Sequence, residues 1–523
     1  MLTVIAGSTN STTQFEISLW RSDEELESFN PQFTYPIFGE EEVIFGYQGL
    51  KTSLAFAAHN LRPNLQITYK QKFPDQGEVK ASDIRGALQD FLPPDAFSSA
   101  SRIEALADPG ASSFVPPGEL LHTYERDGET YQIWCAALAD NKAQEILRNM
   151  QILVPLFIEG GTMLELDHSW IVDRWKLFLL YRIDDNVPPN TSMFSLAGYS
   201  TSYRVFTFPE RYGNKQNADS TTLTEAEVDS VLDQWTPQKE ATVTSSSQSP
   251  LELLSRERIS QFLVLPPYQG AGHGAELYNV IYIQLTKATN VVELTVEDPN
   301  EAFDDMRDIC DLVYLRSHVS EFADLKINCS ISATALMVIK PIPIDEIVSL
   351  AVRNNTKKAS KIQSRQLARL VEMQTLSRIP ARSRKTARIT RKEKCSDEND
   401  RAYYFWRLYV KQRLYIHNRD TLAQLEPEER IEKLEGAMEG LQGDYERLLA
   451  IAEKRMGVAP VSNGHGNGES SAGLSRVNKR PRASTGDAEE DTESAASGSR
   501  KRRALRAIVR DEDDEGEDIG DAV

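Results

Sequence analysis

The sequence predicts a mixed α/β protein of the α+β kind, with a helical C-terminal part. Three observations carry this. Segments of β-rich, partly alternating character intersperse with segments of helical spacing from Met1 to about Val296. Strand, glycine turn, helix and strand follow one another directly over Arg258–Val296. From about Ile331 the spacing is mainly helical.

Taken in order, Phe33–Phe38 and Leu65–Tyr69 are β-rich. A helix is expected from Ala81 to about Phe91, capped by Ser82 or Asp83 and stopped by Pro93-Pro94. Leu121–Tyr124 and Tyr131–Trp134 form a hairpin about Asp127-Gly128. Ile146, Leu147, Met150, Leu153, Val154 and Phe157 recur at helical spacing, predicting a helix over 140–159 that Pro155 kinks. Trp170–Ile183, Ser195–Phe208, Arg258–Leu265 and Val291–Val296 read as strands. The polar stretch 209–256 reads as a mobile insertion with one short helix at Glu225–Leu232. Ala275–Leu285 is a helix, and Pro299 begins another. Ile431, Leu434, Met438, Leu441, Tyr445 and Leu448 alternate spacings of three and four, the pattern of a helical seam, and the reading that it packs on its own domain is favoured. The domains are therefore 1–135, 136–330 and 331–456, with a disordered tail over 457–523.

Composition removes several function classes. With 40% hydrophobic and 26% charged residues in 523, most of the chain folds around cores. No apolar run reaches the ~18 residues that span a bilayer, and Met1–Ala6 lacks a basic n-region, so neither a membrane segment nor a secretory signal is expected. Four scattered cysteines without a CxxC, and scattered histidines without an HExxH, argue against a disulfide scaffold and a metal site. The net charge of −19 is unevenly spread: residues 21–50 hold seven acids and one base, 351–395 hold fourteen bases and two acids, and 511–523 hold eight acids and no base. An acidic face attracts basic substrates. The basic stretch lacks aromatic interleaving, so nucleic acid is an accessory partner at most.

The turn Gln269-Gly270-Ala271-Gly272-His273-Gly274 lies between a strand and a helix. Glycines there let successive N–H groups face one concavity, to which the helix end adds partial positive charge, a suitable seat for pyrophosphate. The spacing is neither a dinucleotide fingerprint nor a P-loop. It matches the Gln/Arg-x-x-Gly-x-Gly/Ala acyl-CoA turn of the GNAT superfamily of N-acetyltransferases. Four segments, Phe38–Tyr47, Phe157–Gly160, Arg258–Ala275 and Thr295–Asn300, resemble in the same order the histone acetyltransferase type B catalytic subunit. The stretch 209–256 is longer than this family's usual connection, and the tail after 457 lies outside the family pattern.

The resemblance implies a GNAT fold and acetyl transfer from acetyl-CoA, without metal, to lysines of free, newly made histone, chiefly the tail of histone 4. Lysine's reference pKa is about 10.4, so the incoming amine must lose a proton to a base. By sequence alone Glu297 and Asp298 read as acids at a helix start. The resemblance makes Glu297 the general base, with Asp298 beside it and Glu159 a third acid. It implies that the backbone of Phe262, Leu263 and Val264 binds the acetyl and pantetheine portions, and that Gln269, Gly270, Ala271, Gly272, His273, Gly274 and Ala275 hold the pyrophosphate. Asn300 either reaches the cofactor or caps the next helix. Glu40, Glu41 and Glu42 would receive the basic tail, and Trp170 and Tyr203 would flank the lysine stem, with Arg204 and Val205 as substrate-binding neighbours of Tyr203. Three consecutive acids are ordinarily solvated surface, and strand aromatics are ordinarily core. A WD-repeat β-propeller histone-binding subunit is the implied partner. Lys479–Arg482 and Arg500–Arg503 read as nuclear localisation clusters, which predicts a nuclear and cytoplasmic protein.

Overall fold

The computed structural model describes residues 9–74, 80–165, 172–206, 254–331, 341–389 and 397–457. The strands in chain order are β1 (Thr9–Asn10), β2 (Phe15–Arg21), β3 (Glu24–Phe29), β4 (Val43–Ile44), β5 (Tyr47–Gln48), β6 (Lys51–Ala57) and β7 (Pro63–Thr68). They continue as β8 (Gln71–Lys72), β9 (Glu119–Arg126), β10 (Glu129–Ala137), β11 (Trp175–Ile183), β12 (Phe194–Phe206), β13 (Ser255–Val264) and β14 (Val291–Val296). The chain divides into two compact units, Met1–Asn300 with Lys361–Gln363, and Glu301–Ser360 with Ser364–Val523.

The first unit is mixed α/β. Its main sheet has the order β14-β13-β12-β11-β10-β9 and a second has β3-β2-β6-β7, while β1 pairs with β4 and β5 with β8. Asp127 (φ +54°) and Gly128 (φ +83°) are both left-handed, as a two-residue hairpin turn requires, and they fix the register Glu129↔Arg126. Strands β9 to β13 are antiparallel neighbours; β14 lies parallel to β13 and is reached through the helix His273–Thr286. That helix buries Leu277, Tyr278, Ile281, Tyr282 and Leu285, one apolar stripe at spacings of three and four. The two larger sheets are tied by the buried Arg21 guanidinium, which donates to Asp184 at 2.8 Å and to Ser195 Oγ at 3.1 Å.

Three local expectations change. Phe33–Phe38 contains a helical turn, Tyr35–Phe38, in which Phe38 N–H bonds to Thr34 O and Pro36 sets φ in the first turn. The helix over 140–159 is two helices, Asn141–Met150 and Leu153–Phe157. Pro155 has no N–H for the carbonyl of Gln151, and its ring crowds that carbonyl, so the break falls one turn before the proline. The strand predicted from Trp170 begins at Trp175. Asp83, one of the two expected caps, accepts from Gly86 N–H. The insertion, its short helix at Glu225–Leu232 and the basic tail clusters lie outside the described residues, apart from Leu254–Arg256 at the foot of β13.

The second unit is helical, including Glu301–His318, Leu350–Ser360, Ser364–Ser377, Glu398–His417 and Pro427–Arg455. Its core holds Trp406, Tyr403 and Tyr445 around the fully buried Glu372, which accepts two bonds from Arg413 (2.7 and 2.8 Å) and one from Tyr445 OH (2.8 Å). The seam helix joins this core through Met438, Leu441, Tyr445 and Leu448, whereas Ile431 at its start is exposed. Among the described residues no helix is long and apolar enough to cross a membrane.

Candidate active site

Strand β13 builds the site by treating its two neighbours differently. Its ladder with β12 runs from Phe206↔Ser255 to Gly198↔Val264. Its ladder with β14 ends at Ile259↔Val296, with Glu297 N–H on Ile259 O at 2.9 Å as the closing bond. The strands therefore part before β13 is finished. Just there, Ser202 pairs with Ile259 and Ser200 with Phe262, so Ser260 and Gln261 together face Thr201: a β-bulge. The backbone of Gln261 is satisfied by hydroxyls, its N–H donating to Thr201 Oγ1 (3.1 Å) and its carbonyl accepting from Ser200 Oγ (2.8 Å).

Ser260 lies two residues beyond Arg258 on the same face of β13, and its Oγ donates to Glu297 Oε2 at 2.5 Å. Tyr203 OH donates to Oε1 of the same carboxylate at 3.2 Å. Tyr203 stacks on Trp175, its ladder partner, at 4.6 Å between ring centroids. On its other side it faces Arg258, whose Nη1 lies 3.4 Å from the phenol oxygen. Burial, and after it the Glu297 charge, raise the Tyr203 pKa, so the phenol stays protonated and able to donate. The result is a half-buried carboxylate, fixed by two hydroxyls at the fork of two strands, with an aromatic slab alongside. Such a group can accept a proton from a substrate that enters the fork.

Strand β13 then leads through Pro266–Tyr268 into the glycine turn. Gln269 folds back, its Nε2 donating to Val264 O at 2.8 Å. Gly270 (φ +77°) and Gly272 (φ +87°) are left-handed, a conformation that side chains resist. A Cβ on Gly270 would meet nothing within 4 Å, so the turn is open at that point. The amides of His273, Gly274 and Ala275 precede the first helical bond, Glu276 N–H to Gly272 O at 3.3 Å, and leave the helix end as donors. The His273 ring is buried: Tyr124 OH lies 2.8 Å from Nδ1 and the Tyr131 ring centroid 4.3 Å away. Burial lowers its pKa, which keeps the imidazole neutral, and what His273 offers the turn is its backbone N–H.

The remaining candidates are distributed as follows. Asp298 is exposed and left-handed at φ +34°. Glu159 is exposed just past the helix Leu153–Phe157, and its segment is tied to the bulge by Gln261 Nε2 donating to Thr162 O at 2.9 Å. Glu40 and Glu41 are exposed, but Glu42 turns inward and accepts from the N–H and Oγ of Thr34. The same acidic segment is anchored by Gln32 and Phe33, whose N–H groups share Leu156 O. Arg204 points to the sheet face opposite Tyr203, where it and Lys176 hold the fully buried Glu257 at 2.8 and 2.9 Å. Leu263 is buried, while Phe262, Val264 and Val205 are half-buried and Asn300 is exposed. Trp170 lies outside the described residues. Trp175, Arg258, Ser260 and the Ser200-Thr201 pair escaped sequence reasoning; a run of hydroxyls inside an apolar strand was the available signal.

Residues 7–159 match the family described as Histone acetyl transferase HAT1 N-terminus. The chain is 38% identical over 443 residues to the histone acetyltransferase type B catalytic subunit of Aspergillus oryzae, covering 82% of each chain. The Pyricularia oryzae protein of the same name is 38% identical over 86% of this chain and 92% of its own. That of Candida albicans is 30% identical over 82% and 86%. The chain belongs to the family of histone acetyltransferase type B catalytic subunits. It is a histone acetyltransferase, and acetyl-CoA is the acyl donor that its family implies. Among the described residues no group of His, Cys, Asp and Glu side chains is arranged to hold a metal ion. A match to 82% or more of the chain takes in the forked strands and the glycine turn, which lie beyond the matched N-terminal segment.

Proposed function

We propose that the enzyme has a GNAT fold and acetylates lysines of free, newly synthesised histone, chiefly the tail of histone 4, by direct attack with Glu297 as general base. The observation that carries this is the placement of one carboxylate, clamped by Tyr203 and Ser260, at the fork of the strand that leads into the glycine turn. The turn fits acetyl-CoA: it is open at Gly270, and the N–H groups of His273, Gly274 and Ala275, which precede the first helical bond, suit a pyrophosphate. When bound there, acetyl-CoA supplies the thioester.

The protein's own residues do the rest. The backbone of Phe262, Leu263 and Val264, beyond the last β14 partner, lines the acyl and pantetheine path. Trp175 and Tyr203 offer a slab for the methylene stem of lysine. Glu297 receives the amine proton, with Asp298 and Glu159 as further acids of the proposed site, and the fixed hydroxyls keep its lone pairs in register. Glu40 and Glu41 draw in the basic tail. The reading is tested by mass spectrometry of free histones after incubation with the enzyme and acetyl-CoA. Acetylation concentrated on the histone 4 tail is expected; modification confined to other histones or other basic proteins would overturn the substrate assignment.

A WD-repeat β-propeller subunit is the proposed histone-presenting partner. The tail clusters Lys479–Arg482 and Arg500–Arg503 are proposed to carry the enzyme from cytoplasm to nucleus. A fluorescent fusion ending at residue 457 should shift to the cytoplasm; unchanged nuclear accumulation would remove the clusters from that role.

A further inference from the structure

Edge strand β9 places His122, Tyr124 and Arg126 on one face, two residues apart, and all three reach the start of the helix His273–Thr286. His122 Nε2 lies 3.3 Å from Glu276, and Tyr124 OH lies 2.8 Å from His273 Nδ1. Arg126 goes furthest. Its Nη1 donates to the Ala271 carbonyl at 2.5 Å, its Nη2 reaches Glu276 at 3.5 Å, and its guanidinium lies 5.5 Å from the Tyr124 ring centroid. A Cβ on Gly272 would fall 2.2 Å from Nη1, so the absence of a side chain there is what admits the arginine.

We propose that Arg126 is a positioning residue of the cofactor turn, holding the Ala271–Gly272 peptide so that its N–H faces the pyrophosphate; this rests on the reading of the turn given above. The physical argument is short. In a trans peptide the carbonyl and the following N–H point in opposite directions. A guanidinium on the Ala271 oxygen therefore directs the Gly272 N–H to the opposite side, away from β9. A charge on the carbonyl also polarises the peptide and makes its N–H a stronger donor. Arg126 acts from behind the turn, in a position that the two positive φ values alone leave undetermined. Glu276 and the Tyr124 ring in turn hold the guanidinium. The arginine thus acts through the phosphates of the donor rather than through its acetyl or pantetheine portions.

The test compares two acyl donors with the full-length enzyme: acetyl-CoA, and acetyl-pantetheine, which has no pyrophosphate. The readout is the ratio of kcat/KM for the first to that for the second. In Arg126→Ala this ratio should fall about tenfold, the effect of losing one charge-assisted hydrogen bond. Arg126→Lys should recover part of the loss, and the KM for histone should stay at the wild-type value. Equal losses with both donors would show a merely structural role and overturn the proposal, as would an unchanged ratio. A wild type that uses the two donors equally well would overturn the pyrophosphate reading of the turn, and with it the proposal. A wild type that discriminates, beside an Arg126→Ala variant that discriminates just as well, would overturn the proposal alone.

Discussion

Replacing Glu297 with Gln separates chemistry from architecture. In the native site both carboxylate oxygens accept, from Ser260 Oγ at 2.5 Å and Tyr203 OH at 3.2 Å. An amide keeps one acceptor oxygen and turns an NH2 toward the other hydroxyl, which must rotate to accept instead. The structural cost is about one hydrogen bond, roughly 1 kcal/mol, or a Tm shift of about 1–2 °C in a unit of this size. The chemical cost is larger. A lysine of pKa about 10.4 arrives protonated, and loss of a general base costs about a hundredfold, roughly 2.7 kcal/mol of barrier. Steady-state turnover on free histone should thus fall about a hundredfold or more, while acetyl-CoA affinity measured by calorimetry stays near wild type. Raising the pH should restore turnover, by up to about tenfold per unit, because the amine then deprotonates without help. Turnover within about threefold of wild type, or a parallel collapse of turnover, affinity and Tm, would refute the assignment.

Substituting both Glu40 and Glu41 with Gln should raise the KM for a basic histone tail, and the effect should vanish at high salt, while acetyl-CoA binding is spared; Glu42→Gln should instead lower Tm, because that carboxylate holds Thr34. Truncating the fully buried Glu372 to Ala leaves Arg413 without its carboxylate and should destabilise the helical unit by about 3–5 kcal/mol, read by denaturant unfolding. Burial lowers the His59 pKa, against the opposing pull of Asp108 at 2.8 Å, with Arg21 adding to the lowering. Its folded-state pKa lies below the unfolded value of about 6.5, so its contribution to stability is complete above that pH and is lost as pH falls below it. His59→Gln should flatten Tm against pH in that window, and an unchanged slope would exclude His59 as the source.

Residue type and local order carried some features into the sequence, and long-range geometry kept others out. Gly270 and Gly272 were legible because positive φ selects glycine wherever it occurs, and Asp127-Gly128 was legible for the same reason. Glu297 was visible only as an acid before a helix; resemblance supplied its role, and the carboxylate's hydroxyl partners come from strands 37 and 94 residues away. Phe33–Phe38 misled because β-propensity reports a half-buried surface, whereas Pro36 and the Thr34–Glu42 contacts decide that backbone locally.

The bulge shows why residue identity alone was insufficient. A bulge is a count, two residues against one, and neither Ser260 nor Gln261 announces it. Yet the count has consequences along the whole strand. It shifts the register of β12 against β13 by one residue, immediately after the last β14 pair, while the alternation of buried and half-buried residues along β13 runs unbroken. Ser200 and Thr201 make the irregularity tolerable by satisfying the N–H and carbonyl of Gln261, which a buried strand cannot leave bare without a cost of about 1–3 kcal/mol each. Ser200 and Thr201 thereby sustain the bulge beside the fork at which Ser260 and Tyr203 hold the Glu297 carboxylate.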